Sequence, residues 1–516
     1  MRVTFLAMGW EQLPVSLLSA LARRDGHRVG LAFSASLFDD RYFLHLPKVA
    51  RLVDDRRQVV DAIVAQQPDV LACSALTNSY RWMLSVAREA KLRCPGIRVV
   101  FGGVHASAVP ERVLARSEVD YVCVGEGDVA FPALLGALER GGPAEPIPNL
   151  RWKDPSGRMV AGPQLPYFAD LDSLPHFDKR LWEEHLHVAD VYLTMASRGC
   201  PYRCTFCFNN FFVDLPDAPR GKYVRQRSVA HVLDELSSAR RRYGRLELIN
   251  FQDDVFTVDK AWLSEFLRRF RAEIGSPFRC MSHPRYVDGE VAGWLADAGC
   301  VGVQIGVQSI DDDFKRASLK RYEQSSHVER SIDALESRGV SVQVDHMLGI
   351  PGEPEDSHRR ATAFYAAHLP SRISIYWATY FPGTEMMREA VASGRLSEHD
   401  ARAIEEGELT GYHDPAVAED RVRDAALRAH GALFRLLPLV PRRWRTRLRP
   451  EWFRRWPAFA VEALGVTAVL CGALRPNGRE ERAYARHYAR SLARWALRRL
   501  ALPVFDATPA PRWVVA

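Results

Sequence analysis

Three cysteines, Cys200, Cys204 and Cys207, stand in the segment SRGCPYRCTFCFNN (197–210), and no fourth follows nearby. Thiolates at this spacing are metal ligands before anything else, since three free surface thiols together would be a reactive liability. A structural zinc ion takes four protein ligands, and neither a second cysteine pair nor suitably spaced histidines follow. Catalytic zinc with three ligands usually draws on histidines spread through the fold. A cube of four irons ordinarily takes four thiolates, so three leave one iron open to a non-protein ligand. That vacancy explains why the set stops one short. The other six cysteines, Cys73, Cys94, Cys123, Cys280, Cys300 and Cys471, are scattered, several in apolar runs where a buried core cysteine is the ordinary reading.

Such a loop needs a scaffold, and the surrounding sequence alternates short apolar runs with helical stretches. VYLTMAS, LELINFQDD, FRCMSH, VGVQIGVQS, VSVQVDHMLGI and RISIYWATYF read as six parallel strands, with helices between them. Six βα units make a partial barrel of the (β/α)6 kind, in which chemistry sits at the carboxyl ends of strands. The cysteines follow the first of these strands. Residues 1–142 carry an earlier alternation, with RVTFLAM, HRVGLAFS, DVLACSAL, IRVVFGG and DYVCVGEG as strands of a doubly wound α/β sheet. The organisation expected is therefore a first α/β domain over 1–142, a Pro-rich linker or hairpin over 143–185, the partial barrel over 186–395 and a helical region over 396–516.

Length and composition fit this plan. A chain of 516 residues exceeds one core, and 47% hydrophobic with 26% charged residues is a globular balance. Nine cysteines, unevenly spaced and without a leader before them, argue for a reducing, cytoplasmic setting and against a disulfide framework. The net charge of +7 reflects a late cluster of arginines and does not indicate a nucleic-acid partner for the whole chain.

Cys-x-x-x-Cys-x-aromatic-Cys, with Phe206 before the last cysteine, at the end of the first strand of a six-unit barrel resembles the radical S-adenosylmethionine superfamily. FQDDVFT, GVQSIDDDFKRA, LGIPGE and YFPGTE, in order downstream, are similar to that superfamily too. The resemblance implies a [4Fe-4S] cluster on Cys200, Cys204 and Cys207, S-adenosylmethionine chelating the free iron, a 5'-deoxyadenosyl radical as product of one-electron cleavage, and an external electron donor of flavodoxin or ferredoxin type. Asp253 and Asp254 are candidates for the S-adenosylmethionine ammonium group or for a helix cap, Gln308 and Ser309 for the ribose or a turn. Gly349 and Gly352 are candidates for close backbone approach, and Glu353 for a ligand or a helix-start acid. His283 and Arg285 are candidates for substrate contact, with core or surface roles as the alternative.

In the first domain Ser74, Leu76 and Thr77, the turn Gly102–Gly103 and Gly125 lie at strand ends. Ser-x-Leu followed by Gly-Gly resembles the cobalamin-binding fold, where these elements admit the nucleotide tail. The cobalt-ligating histidine of that fold has no counterpart in AMGWEQLP, and His105 reads either as a corrin neighbour or as a loop histidine. The domain order resembles the cobalamin-dependent radical S-adenosylmethionine group, which includes methyltransferases and the anaerobic magnesium-protoporphyrin ester cyclase. Methylation of an unactivated carbon of a small or lipophilic molecule is the first expectation. Oxidative cyclisation or rearrangement without methyl transfer is the second, and a cofactor-binding protein without turnover the third.

The last zone reads as helical. Seven arginines fall within 441–455, interleaved with Trp444, Trp452 and, just beyond, Trp456. The apolar stretch Ala458–Leu474 is too short to span a bilayer and reads as a buried or interfacial helix. A helical cap over the barrel mouth is the expectation, with peripheral membrane contact as the alternative and nucleic acid last.

Overall fold

A computed structural model describes residues 1–40, 44–215, 221–409, 421–456, 458–474 and 478–499. The amphipathic stretch AEDRVRDAALRAHGALFRLL (418–437), read from its spacing as a helix, has its first three residues outside this set.

The apolar runs of the first domain become strands because their side chains on both faces have helices to pack against. Strands β1 (Arg2–Met8), β2 (Arg28–Ser34), β3 (Val70–Ser74), β4 (Arg98–Gly102) and β5 (Tyr121–Cys123) pair in parallel in the order 2-1-3-4-5. Val3, Leu6 and Ala7 of β1 are wholly buried. This is a doubly wound sheet, whose ligands bind beyond the carboxyl ends of the strands. The hairpin foreseen in the Pro-rich stretch forms as β6 (Leu150–Lys153) and β7 (Met159–Ala161). It pairs antiparallel with β5, so it extends the first sheet.

The second sheet has six strands, all parallel and in chain order: β8 (Tyr192–Thr194), β9 (Ile249–Phe251), β10 (Phe278–Ser282), β11 (Cys300–Gln308), β12 (Ser341–Leu348) and β13 (Arg372–Trp377). Four of its helices begin at side-chain caps. Ser228, Asp259, Asp288 and Asp311 each accept from a backbone amide of the first turn that follows. Outside β9 and β10, Phe251, Phe256, Phe266, Phe270 and Phe278 form a buried aromatic cluster, with Phe251 and Phe256 4.6 Å apart. The outer face of β8 is polar: the Tyr192 and Thr194 hydroxyls donate to the buried Glu235 at 3.1 and 2.9 Å.

Helices α1 (Arg421–Leu436), α2 (Ala458–Ala473) and α3 (Arg479–Arg499) make up the C-terminal region. Leu427, Leu433 and Phe434 of α1 join the core that includes β13. Helix α3 touches both sheets, because Ala483 packs with Val191 and Leu193 while Tyr484 and His487 place their rings 4.5 Å from Trp10, just beyond β1. No helix among the described residues is long and apolar enough to cross a membrane.

Candidate cluster and cofactor site

The cysteine loop is held from four directions. Gly199 has φ +85°, and a Cβ there would stand 2.4 Å from the Tyr223 carbonyl oxygen, so only glycine allows the chain to turn into Cys200. Beyond Cys204, the Thr205 amide donates to the Leu319 carbonyl and its hydroxyl to the Ser318 carbonyl, at 3.2 and 2.9 Å. The Met386 amide in turn donates to the Thr205 carbonyl. Phe206 packs against a cluster of Phe314, Leu319, Met347, Ile350 and Met386.

The three thiols fit an iron–sulfur cube better than a single ion. One tetrahedral ion at about 2.3 Å per bond would draw its sulfurs to about 4 Å of one another. Among the described residues the one three-ligand set within 4.8 Å is the surface group Glu329, Asp333 and His368. A cube spreads its ligands more widely. Cys204 is buried, with Cys200 and Cys207 partly so. Burial, with the nearby Asp254 charge, pushes the Cys200 and Cys207 thiols up to about 12, so it takes the charge of bound iron to make thiolates of them at neutral pH. Two N–H groups already point at sulfur: Arg321 Nη1 is 3.7 Å from Cys204 Sγ, and Asn209 Nδ2 is 3.7 Å from Cys207 Sγ.

Arg321 belongs to a buried charge network whose members, Lys315, Arg321, Glu323 and His283, form no recognisable motif along the chain. Its Nε donates to Glu323 at 2.8 Å and its Nη2 to the Gly306 carbonyl at 2.6 Å. Glu323, fully buried, also takes Lys315 at 3.6 Å and His283 Nε2 at 3.2 Å. The partners overcome the cost of burial and hold its carboxyl down at about 2. His283, considered above for substrate contact, is thus buried, and its ring stacks 4.1 Å from Tyr202, between Cys200 and Cys204 in the chain. Burial lowers His283 to about 4, so it stays neutral. Arg285 lies in the short turn after it, its amide donating to His283 Nδ1.

Several expected ligand residues have other work. Asp253 accepts from the Ala196 amide and from the Ser197 hydroxyl at 2.5 Å, which fixes the chain between β8 and the cysteine loop rather than offering a carboxylate to a ligand. Asp254, the other acid of the pair, keeps surface exposure, accepts from Asn209 at 3.2 Å and stands beside the cysteines, where desolvation raises its carboxyl above the usual range. Ser309 is buried and donates to Glu353 at 2.6 Å, and Ser357 donates to the same carboxylate at 2.9 Å. Ser309 and Glu353 therefore join the end of β11 to the loop after β12. Gln308 has φ +67° at a register shift between β11 and β12, a strained backbone of the kind kept at binding sites. Gly349 and Gly352 have φ +74° and +77°, and around Gly352 the space is open.

In the first domain the expected elements converge at the carboxyl edge of the sheet. The Ala75 amide donates to the Gly102 carbonyl, the His105 amide to the Ala75 carbonyl, and a Cβ on Gly103 would lie 2.9 Å from Ala75 backbone atoms. The Gly125 amide donates to Ser107 Oγ at 2.9 Å. Leu76 is left 51% exposed beside this zipped pair of loops, and Gly9 at the end of β1 opens onto empty space. A flat, partly apolar cofactor with a narrow tail fits such an edge. A Cβ on Gly103 would also stand 3.1 Å from Ser74 Oγ, and Thr77 is buried with its hydroxyl 3.2 Å from His105 Nδ1. His105 is itself buried against Tyr80, ring to ring at 4.2 Å, which assigns it to the core.

The two units meet through charges. Arg198 forks onto Asp128 with two 2.9 Å bonds and reaches Glu126 at 3.1 Å. Arg225 donates to both oxygens of Glu126 at 2.8 and 2.9 Å. Glu126 and Asp128 belong to VGEGD, the loop after β5, so the strand edge with the glycines is tied to the residue that precedes Gly199. None of these four residues is singled out by a local sequence pattern, because each finds its partner far away in the chain.

Residues 7–135 match the B12 binding domain family and residues 195–364 the Radical SAM superfamily. An uncharacterized methyltransferase of Pyrococcus horikoshii is 27% identical over 392 residues, 74% of this chain and 82% of that protein. The cobalamin-dependent S-adenosylmethionine radical enzyme OxsB, with aqua-cobalamin and S-adenosylmethionine bound, superposes with a TM-score of 0.64 at 14% identity, covering 97% of this chain and 75% of its own. The radical S-adenosylmethionine methyltransferase TsrM of Kitasatospora setae, with cobalamin and a [4Fe-4S] cluster bound, gives 0.58 at 20% identity, covering 76% and 78%. The chain is thus built of a B12-binding domain followed by a radical S-adenosylmethionine domain, and Cys200, Cys204 and Cys207 lie in the second.

Proposed function

We propose that the chain methylates an unactivated carbon of a small molecule, taking electrons from a flavodoxin- or ferredoxin-like donor. When bound, the cluster with S-adenosylmethionine supplies a 5'-deoxyadenosyl radical and cobalamin supplies a transferable methyl group. The residues of this chain orient and shield. Asp253 and Gly199 set the direction in which Cys200 leaves the strand, Asn209 and Arg321 donate to two of the sulfurs, and Gly352 leaves room for a ligand to approach the backbone. Asp254, exposed beside the cysteines, is the carboxylate best disposed to accept from an ammonium group.

The observation that carries this reading is the Arg198–Asp128 fork, which joins the cluster loop to the carboxyl edge of the cobalamin-binding sheet. Methyl transfer to a carbon radical needs both cofactors to meet one substrate in one dry space. A test is anaerobic turnover on candidate substrates with mass-spectrometric detection of 5'-deoxyadenosine and S-adenosylhomocysteine. Both products in step with a methylated substrate support the reading. Deoxyadenosine with a cyclised or rearranged product and no S-adenosylhomocysteine would replace it with the oxidative alternative, and neither product from the reduced, loaded protein would favour a protein without turnover.

A further inference from the structure

Nothing in the chemistry above uses residues 441–456. Arg443, Arg447, Arg449, Arg454 and Arg455 are all exposed there, and among the described residues none of the five pairs with a carboxylate. Arg443 and Arg447 lie over the Trp444 ring, at 6.0 and 4.7 Å, and Arg449 donates to the carbonyls of Thr446 and Leu448. Some exposed arginines elsewhere are matched, as Arg242 is by Glu183 and Arg486 by Asp190, whereas here five unmatched ones fall between residues 443 and 455. The segment holds a single acid, Glu451. Like charges gathered without counter-charges repel one another, and the arrangement becomes favourable where an anionic partner covers it.

The apolar residues of the same segment point to the kind of partner. Trp444, Trp452 and Trp456 are 46%, 58% and 42% exposed, while Phe453 between them is buried and fastens the turn Pro450–Phe453 to the core. Leu470, in the last turn of the helix that follows, and Leu474, one residue past its end, are 57% and 87% exposed. Guanidinium groups fork onto phosphate, and indoles settle at the headgroup level of a bilayer. Stacked bases would also suit the indoles, but aliphatic Leu470 and Leu474 find cover in lipid and none on a phosphate backbone. With no described helix fit to cross, the contact is peripheral.

We propose that residues 443–456 form a docking face for an anionic phospholipid membrane, with the five arginines on lipid phosphates and the three tryptophans at the interface. The proposal is independent of the methyl-transfer reading, since its test measures binding and not turnover. The 516-residue chain is sedimented with vesicles of phosphatidylcholine alone and of phosphatidylcholine with phosphatidylglycerol, at low and high salt. Binding is expected to the anionic vesicles only, and to weaken at high salt. Each basic residue at such a surface is worth about fivefold in affinity, so Arg454→Glu with Arg455→Glu lowers binding more than tenfold. Trp452→Ser with Trp456→Ser, in a chain whose melting temperature is unchanged, also weakens it. Equal binding to neutral vesicles, no binding to either, or tighter binding to duplex DNA at equal phosphate concentration would overturn the proposal, the last in favour of nucleic acid.

Discussion

Arg198 grips Asp128 through two 2.9 Å hydrogen bonds, with the Asp128 side chain 5% exposed. A buried fork of this kind costs most when one partner is removed, because the other is left charged and unpaired. Arg198→Ala is expected to destabilise the protein by about 3 kcal/mol, and Arg198→Ala with Asp128→Ala by clearly less than the two single changes summed. Urea denaturation of the four proteins checks this. Additive losses would mean that the fork couples nothing.

Gly199 is a second point of leverage. A side chain there meets the Tyr223 carbonyl and needs a left-handed backbone, so Gly199→Ala shifts Cys200 itself. The expected result is a folded protein that holds less than half the iron of wild type after reconstitution. Full iron content would show that the loop tolerates the shift.

Arg321 should act on the electronics of the cluster. A donor and positive charge beside a ligating sulfur stabilise the reduced state, which raises the reduction potential. Arg321→Gln is expected to keep iron and to lower the midpoint by about 60 mV, the value of a tenfold change in a one-electron equilibrium. An electron-resonance-monitored redox titration reads it directly, and an unchanged midpoint would reduce Arg321 to a packing residue.

Burial lowers His105 to about 4, below its ordinary 6.5. Between these values the unfolded chain binds the proton and the folded chain does not, so the contribution of this group is whole above pH 6.5 and is lost as pH falls toward 4. It amounts to about 3 kcal/mol at most. His283 and His487 push the same way, while Asp253 and Asp345, raised by burial to about 6, push the other. Comparison with His105→Gln isolates the one group: the stability advantage of wild type at pH 7 should shrink steadily down to pH 4. A constant difference would contradict the assignment of His105 to the neutral core.

How much of this was legible follows from the range of each interaction. Strand runs and the cysteine spacing are local patterns, and both sheets appear where apolar runs such as RVTFLAM and VGVQIGVQS put them. The hairpin at 150–161 was legible as a hairpin, but its pairing with β5 was not, because edge choice is decided by a strand distant in sequence. Asp253 and Asp254 are adjacent and alike in sequence, yet one faces Ala196 and Ser197 and the other the cysteines, a division that alternation along the chain produces only once the partners are known. Ser309 and Glu353 are separated by a strand and two helices, and nothing local announces that each is the other's partner.

The most direct test of the two-cofactor account is metal quantification on the protein reconstituted anaerobically with iron, sulfide and hydroxocobalamin, beside the Cys200→Ala, Cys204→Ala, Cys207→Ala triple variant. About four irons and about one cobalt per chain are expected in wild type, from one cube and one corrin. The triple variant should lose the iron and keep the cobalt, because Ser74, Leu76 and the Gly102–Gly103 turn lie on the other sheet. Iron without cobalt in wild type would contradict the cobalamin half of the account, and iron retained by the variant would contradict the cluster half.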